Sequence, residues 1–388
     1  MEGPALEALM TKTRKTDPAQ RGATLILFAL GMVAVLGAAA LAIDLGYGLV
    51  VKSELQNTAD AGTLAANREL SLIYQGLSST CATGSADCYW ATHVLTASER
   101  SRIETKVNSY TQQNKAGGKP IVVSSSDMVY GKYSTATNSI VPTSPAYTGV
   151  MGISVTARRD GSGNGPVSTM LGKVLGFQSL SVQAKSGAAL SPLGKVPAGG
   201  LGIPVGISKF WFTARNTPCG KKGDTANHGI RLYPTGPQNG ETLTNAQGCA
   251  GWHTFTDYPA SAAKLGNVLD GLRTGTYSSP VTQAGSTMYN FTGGVVSSQF
   301  SQMKALYDAR KASDGTWTAI VPVYDAVDCS NPNGAIKIIG FATAWIYSVR
   351  DVKEGKFIDA TVSCNIVDIG EAGGPDYGTL VGRPGMVQ

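Results

Sequence analysis

The sequence predicts an α+β protein hung from a single transmembrane helix, with a second, mostly β part behind it. Three observations predict this. A run of 22 residues without an ionisable side chain, 22–43, lies near the amino end. A helical repeat of small and apolar side chains continues past that run as far as Ile73. The remainder is rich in turn formers, with 48 Gly and 18 Pro in 388 residues and only 15% charged side chains, which points to many short strands.

The uncharged run comes first. At ~1.5 Å rise per residue, a helix over 22–43 covers the roughly 30 Å hydrocarbon core of a bilayer. A helix satisfies its own backbone in lipid, so Gly31 and Gly37 are tolerated inside it. Arg21 and Asp44 fence the run, each placed where its charge reaches interfacial water. Lys12, Arg14, Lys15 and Arg21 precede it, whereas Lys52 is the only basic side chain among the sixteen residues 45–60. The positive-inside rule then leaves the amino end in the cytoplasm and exports everything after Asp44. A cleaved signal peptide is the rival reading, with 25–36 as its apolar region and Ala38-Ala39-Ala40 or Ala40-Leu41-Ala42 at the cleavage site. The run outlasts the usual apolar region and the helical pattern continues beyond it, so a retained anchor is expected.

Beyond Asp44, Val51, Leu55, Ala59, Gly62, Ala66, Leu70 and Ile73 recur at steps of three and four, one face of a helix. Lys52, Glu54, Gln56, Asn57, Asp60 and Arg68 fall elsewhere. A stripe rich in Ala and Gly admits a neighbouring backbone or sheet at close range, and an ordinary core face makes the same stripe. The first expectations for organisation are a cytoplasmic segment at 1–21, the transmembrane helix at 22–44 and an exported stalk helix at 45–78.

Residues 79–190 read as an exported α+β domain. "TASERSRIETKVNSYTQQN", 96–114, is helical, with Thr96 or Ser98 as N-cap and Ile103, Val107 and Tyr110 on one face, and "AGGKP" stops it. Strands follow at "IVVSSSDMVYGKY", "GVMGISVTARR" and "LSVQAKSGAAL", with a short helix at 167–175 before the last. The long helices are expected on an antiparallel sheet. Pro and Gly concentrate in "SPLGKVPAGG", a boundary. Residues 191–388 then read as mostly β, with strands at "LGIPVGI", "KFWFTA", "WTAIVPVYDAV", "AIKIIGFATAWIYSV" and "KFIDATVSCNIV" and helices at 259–272 and 297–311.

Cys81, Cys88, Cys219, Cys249, Cys329 and Cys364 all follow Asp44, where an oxidising compartment pairs them. Cys81 with Cys88 would close a small ring, and Cys219 with Cys249 and Cys329 with Cys364 are the neighbouring choices among fifteen connectivities. No C-x-x-C or C-x-x-H spacing points to a metal.

The net charge of +6 is spread without a dense basic run and leaves no footprint for nucleic acid. Three histidines exist, His93, His228 and His253, and there is no G-x-S-x-G, H-E-x-x-H or Walker loop. His253 with Asp257 and a serine would be one way to assemble a hydrolase, but Trp-His-Thr in a Gly-rich loop reads as a surface or packing histidine. "RDGSGNGP" puts Asp160, Ser162, Asn164 and Gly165 in calcium-loop positions, yet Leu171 stands where that loop needs Glu, so a turn is expected. Trp211, Phe212, Trp252, Trp317 and Trp345 could furnish an aromatic platform for a ligand; their apolar strands make core the better reading. No enzyme activity, cofactor, metal or small-molecule substrate is expected.

"RGATLILFALGMVAVLGAAALAIDLGYGLVVKSELQNTADAGTLAA" resembles the amino-terminal signature of the Tad (Flp) pilus-assembly proteins of the TadE/TadG-like group. The matching positions are Arg21, Gly22, Ala42, Asp44, Gly46, Leu55, Gln56, Asp60 and Ala61, followed by Leu64, Ala65 and Ala66. Gly62 and Thr63 stand where alanines are usual. "VYGKY", "ISVTARR" and "NGPVSTMLGKVLGFQSLSVQAKSGAAL" resemble the sheet of TadG-related proteins, and the later half is similar to an extension in some of them; the Asp-x-Ser-x-Ser motif of members with a von Willebrand A domain is missing. The resemblance implies an inner-membrane-anchored or pilus-associated envelope component of a Tad-type pilus or secretion machine, whose partners are Tad pilus-assembly or pilin subunits; with the orientation read above, it is a single-pass protein of the bacterial inner membrane with periplasmic domains. Residue 27, where a type IV prepilin cleaved after Gly22 would need Glu, is Leu, so a pilin-like arrangement without pilin processing is expected. An exported ligand-binding or hydrolytic domain on the same anchor is the alternative.

Overall fold

In a computed structural model of the chain, residues 18–80, 90–134, 136–213, 219–220, 223–232, 249–293, 296–352 and 355–387 are described. One helix, α1 (Pro18–Thr80), runs through the apolar run and the stalk without a break. No proline follows Pro18 in it, and at the first turn a missing N–H costs nothing. Leu25, Leu27, Phe28, Leu30, Val33 and Leu36 are exposed along its first part. From Val51 onward the expected stripe is buried, at Val51, Leu55, Ala59, Gly62, Ala66, Leu70 and Ile73.

A helix and a sheet cover most of that stripe. Helix α2 (Ala97–Thr111) starts at Thr96, whose hydroxyl accepts from the Glu99 N–H while the Glu99 carboxylate accepts from the Thr96 N–H, a reciprocal cap. Its Ile103, Val107 and Thr111 are buried. The other cover is a five-stranded antiparallel sheet built from β1 (Met128–Ser134), β2 (Ser139–Pro142), β3 (Gly152–Arg159) and β4 (Val182–Ala189), in the order β4-β3-β1-β2. The fifth strand arrives from far along the chain and lies outside β4.

The later part centres on a seven-stranded sheet. Its strands are β5 (Val205–Ser208), β6 (Gly229–Leu232), β7 (Ala250–Trp252), β8 (Met288–Thr292), β9 (Trp317–Tyr324), β10 (Asn333–Val352) and β11 (Gly355–Ser363). The order is β6-β11-β10-β9-β5-β7, with β8 on the first residues of β10, and only β5 and β9 run parallel. Helices α3 (Ala262–Thr274) and α4 (Phe300–Arg310) bury Leu265, Val268, Leu269 and Leu272 and Phe300, Met303, Leu306 and Tyr307 respectively. Strand β12 (Gly385–Met386) then pairs antiparallel with β4, Gly385 opposite Ala189, and completes the first sheet.

The fold is therefore α+β, with a long apolar amino-terminal helix and a largely β later region. Four local expectations need correction. The strand at "IVVSSSDMVYGKY" begins only at Met128, because Ser125–Asp127 coils as a 3-10 turn. "KFWFTA" is not a strand: the Ser208 hydroxyl accepts from the Phe210 N–H at 3.2 Å and turns the chain into a short helix, Lys209–Thr213. Residues 167–175 are not one helix, because Val167–Ser168 pairs with Ser179–Leu180 and only Gly172–Leu175 coils, as a 3-10 turn. The disulfides are Cys219–Cys364 and Cys249–Cys329, not Cys219–Cys249 and Cys329–Cys364. Strand order decides this. β5 lies between β7 and β9, so Cys249, just before β7, and Cys329, just after β9, meet at one end of β5. Gly220 likewise bridges Ser363 and brings Cys219 to Cys364. Cys81 and Cys88 lie outside the described residues.

Candidate functional site

The densest sequence motif falls on α1, and the site builds outward from it. Asp44 ends the uncharged run, yet its side chain does not stand in water: it is 3% exposed. Its carboxylate accepts from the backbone N–H of Met170 at 2.6 Å, from that of Leu171 at 3.1 Å, and from that of Gly172. These donors open the 3-10 turn in the tip of the 167–180 hairpin, an arrangement like a helix cap supplied from a distant element. A Cβ on Gly172 would come within 3.0 Å of the Asp44 Oδ2, so glycine admits this approach. Asp44 thus bolts the end of the apolar run to a loop more than a hundred residues away. Nothing in its own neighbourhood could reveal that partner; the one sequence signal was the apolar density of "MLGKVLGF".

The hairpin's root is held separately. Val167 is buried with Val51, Leu55, Ala59, Ala116, Ile121, Ala157 and Ala184, and Tyr47, Leu180 and Val182 pack against them. This small core sits at the end of the folded body nearest the exposed half of α1. Above it, α1 and α2 approach closely at Gly62, where a Cβ would lie 2.8 Å from the Thr111 methyl. Polar bonds fix the register. The Glu54 carboxylate accepts from the Gly117 N–H at 2.7 Å, the Thr63 hydroxyl donates to the Ser186 carbonyl at 3.2 Å, and the Tyr74 hydroxyl donates to the Val150 carbonyl at 2.7 Å. Arg68 reaches the later region through Asp368 at 3.0 Å and the Gly382 carbonyl at 3.1 Å.

The other motif positions take different places. Leu55 is fully buried, Ala61 is half-buried, and the Gln56 amide donates to the Asp60 carboxylate at 2.8 Å. Ala42 and Gly46 are exposed. Arg21 and Gly22 lie within α1, and their side-chain surroundings are outside the described residues.

The histidines do not converge. The His93 Nε2 lies 2.9 Å from the Glu99 carboxylate beside the start of α2, and the His228 Nδ1 lies 2.8 Å from the Asp224 carboxylate. His253 is fully buried among Phe255, Tyr289 and Phe291, and its Nδ1 accepts from the Phe255 N–H at 3.2 Å, while Asp257 is exposed. Burial pushes its pKa down to about 3, against a smaller opposing effect of the Val205 backbone carbonyl, an acceptor that favours the protonated ring. In the calcium-like segment, the Asp160 carboxylate accepts from the Ser162 and Gly163 N–H groups at 2.8 and 3.0 Å and Asn164 ties Val122 to Arg158, which is a turn. Trp211, Phe212, Trp252 and Trp317 are buried.

Fold and site together define a folded α+β body carried on one helix whose exposed part is long and apolar enough to cross a membrane. Residues 22–69 match the family model of Tad, described as Flp pilus-assembly TadE/G-like, the family that the same stretch resembles. No curated protein and no solved structure matches the chain.

Proposed function

We propose that this chain is a membrane-anchored envelope component of a Tad/Flp-type pilus or a related secretion machine, and that it acts by protein–protein contacts and not by catalysis. The observation that carries the reading is the coincidence of the family match, 22–69, with the one helix that joins an exposed apolar run to the buried stripe of the body. In this reading the amino end is cytoplasmic, the anchor is retained in the inner membrane, and the two later regions stand in the periplasm against pilin or assembly subunits. The disulfides Cys219–Cys364 and Cys249–Cys329 fit an oxidising compartment. A stalk helix lying on an antiparallel sheet fits a pilin-like plan.

Deletion and complementation test it. Loss of the chain is expected to abolish or mislocalise the surface filament or the secreted product. A triple variant, His93→Gln, His228→Gln and His253→Gln, restores it, and variants that break the anchor helix do not. If the triple variant is folded and membrane-inserted yet inactive, while the helix variants are active, the chain is an enzyme.

A further inference from the structure

The tip of the 167–180 hairpin displays apolar side chains that the fold does not use. Met170 is 62% exposed, Val174 87% and Phe177 65%, and Leu171 and Leu175 are exposed as well, all within eight residues. The root of the same hairpin is ordinary core, through Val167 and Leu180. Such a cluster would be a liability on a surface facing only water.

Its position identifies what covers it. The carboxylate of Asp44 holds the backbone of Met170, Leu171 and Gly172, so the tip stands at the level where the uncharged run ends. On α1 itself, Ile43, Leu45, Leu49 and Val50 are also exposed, so the apolar outer surface of the helix continues for two turns past Asp44 beside the hairpin. The six residues past Asp44, to Val50, rise ~9 Å, enough to cross the ~5–8 Å headgroup layer on one side of a bilayer. Lys173 lies within the tip, and a lysine there meets anionic headgroups favourably. The apolar tip is continuous with the lipid-facing surface of the anchor.

We infer that the hairpin tip, 170–177, is a second membrane contact: it inserts into the interfacial layer of the bilayer that α1 crosses, on the body side, and Asp44 sets its depth. The inference rests on the anchor reading above. A body joined to the membrane by one helix alone would swivel about it; with the tip seated, the helix and hairpin hold it at two points.

The full chain reconstituted in vesicles of phosphatidylcholine and phosphatidylglycerol tests this, with a solvatochromic fluorophore on a single introduced cysteine and the unsubstituted chain as labelling blank. The sites are Val174→Cys, Phe177→Cys, Leu30→Cys in the anchor, and Val327→Cys, which is equally exposed, at 87%, in the later region. The expected result is blue-shifted emission at 174 and 177 that is lost with nitroxide-bearing lipids, as at 30, while 327 keeps a water-like spectrum. A quenched probe at 30 beside water-like probes at 174 and 177 overturns the inference and leaves the anchor reading standing. Unquenched probes at all of these sites remove the anchor reading and the inference with it.

Discussion

Asn67 of α1 and Ile153 of β3 exchange two hydrogen bonds: the amide donates to the Ile153 carbonyl at 3.1 Å, and the Ile153 N–H donates to the amide oxygen at 3.1 Å. Asn67 is fully buried, and its amide also donates to the Thr63 carbonyl at 2.9 Å. One side chain therefore fixes the helix along and across the sheet.

Asn67→Leu is expected to destabilise the body by ~1–3 kcal/mol, the cost of losing buried hydrogen bonds. Asn67→Asp keeps the shape but loses the donor, and it should recover part of the deficit on acidification, when a protonated carboxyl donates again. Thermal unfolding of the detergent-solubilised chain across pH measures both.

Gly62→Leu should separate α1 from α2 and cost ~1–3 kcal/mol or more as overpacking. Gly62→Ala sets a helix-propensity gain of up to ~1 kcal/mol against the 2.8 Å approach to the Thr111 methyl. Thr111→Ser removes that methyl, so Gly62→Ala should be more favourable in the Thr111→Ser background. A double-mutant cycle reads the difference, and additivity would refute the contact.

These positions show what was legible in the sequence. The stripe from Val51 to Ile73 was readable because a helix writes its buried face at fixed spacing, and the Thr96 cap because its partner stands three residues away. The contacts of Asp44 and the disulfide pairs were not, because they depend on which strands lie side by side. For that reason neither Cys249 nor Cys329 bonds to its nearest cysteine in sequence among the four paired ones. "KFWFT" reads as a strand through its aromatics, whose burial is tertiary, while the deciding hydroxyl of Ser208 sits one residue outside the run.

The pairs Cys219–Cys364 and Cys249–Cys329 are nested, closing 145 and 80 residues. Peptide mapping without reduction should recover these two links and neither Cys219–Cys249 nor Cys329–Cys364. Replacing either pair with serine should cost ~2–5 kcal/mol, seen as a lowered unfolding temperature.

His253 makes stability pH-dependent. Its folded pKa, pushed down to about 3 by burial, lies below the ~6.5 of an exposed histidine, so the unfolded chain binds the extra proton. The contribution is complete above the unfolded pKa and is lost at ~1.4 kcal/mol per pH unit as pH falls from ~6.5 towards the folded value. His253→Gln should flatten that part of a stability–pH profile, whatever it costs at neutral pH.

Asp44→Ala should leave the body folded and free the 170–172 backbone. Hydrogen exchange at Met170, Leu171 and Gly172 is expected to accelerate relative to the wild type, with little change in β3 and β4. Unchanged exchange at all three would show that the carboxylate does not hold the turn.

The pairing of β12 with β4 has a mechanical consequence. The chain leaves the first sheet just past Ala189 and returns to it at Gly385, directly opposite. Besides the shared core and the Arg68 contacts, a pull on the seven-stranded sheet is thus carried by the chain past Ala189 and by the Gly385–Met386 pairing, which converge on the same place. One connection would act as a hinge; two side by side act as a clevis, which passes tension to the stalk helix and resists twisting.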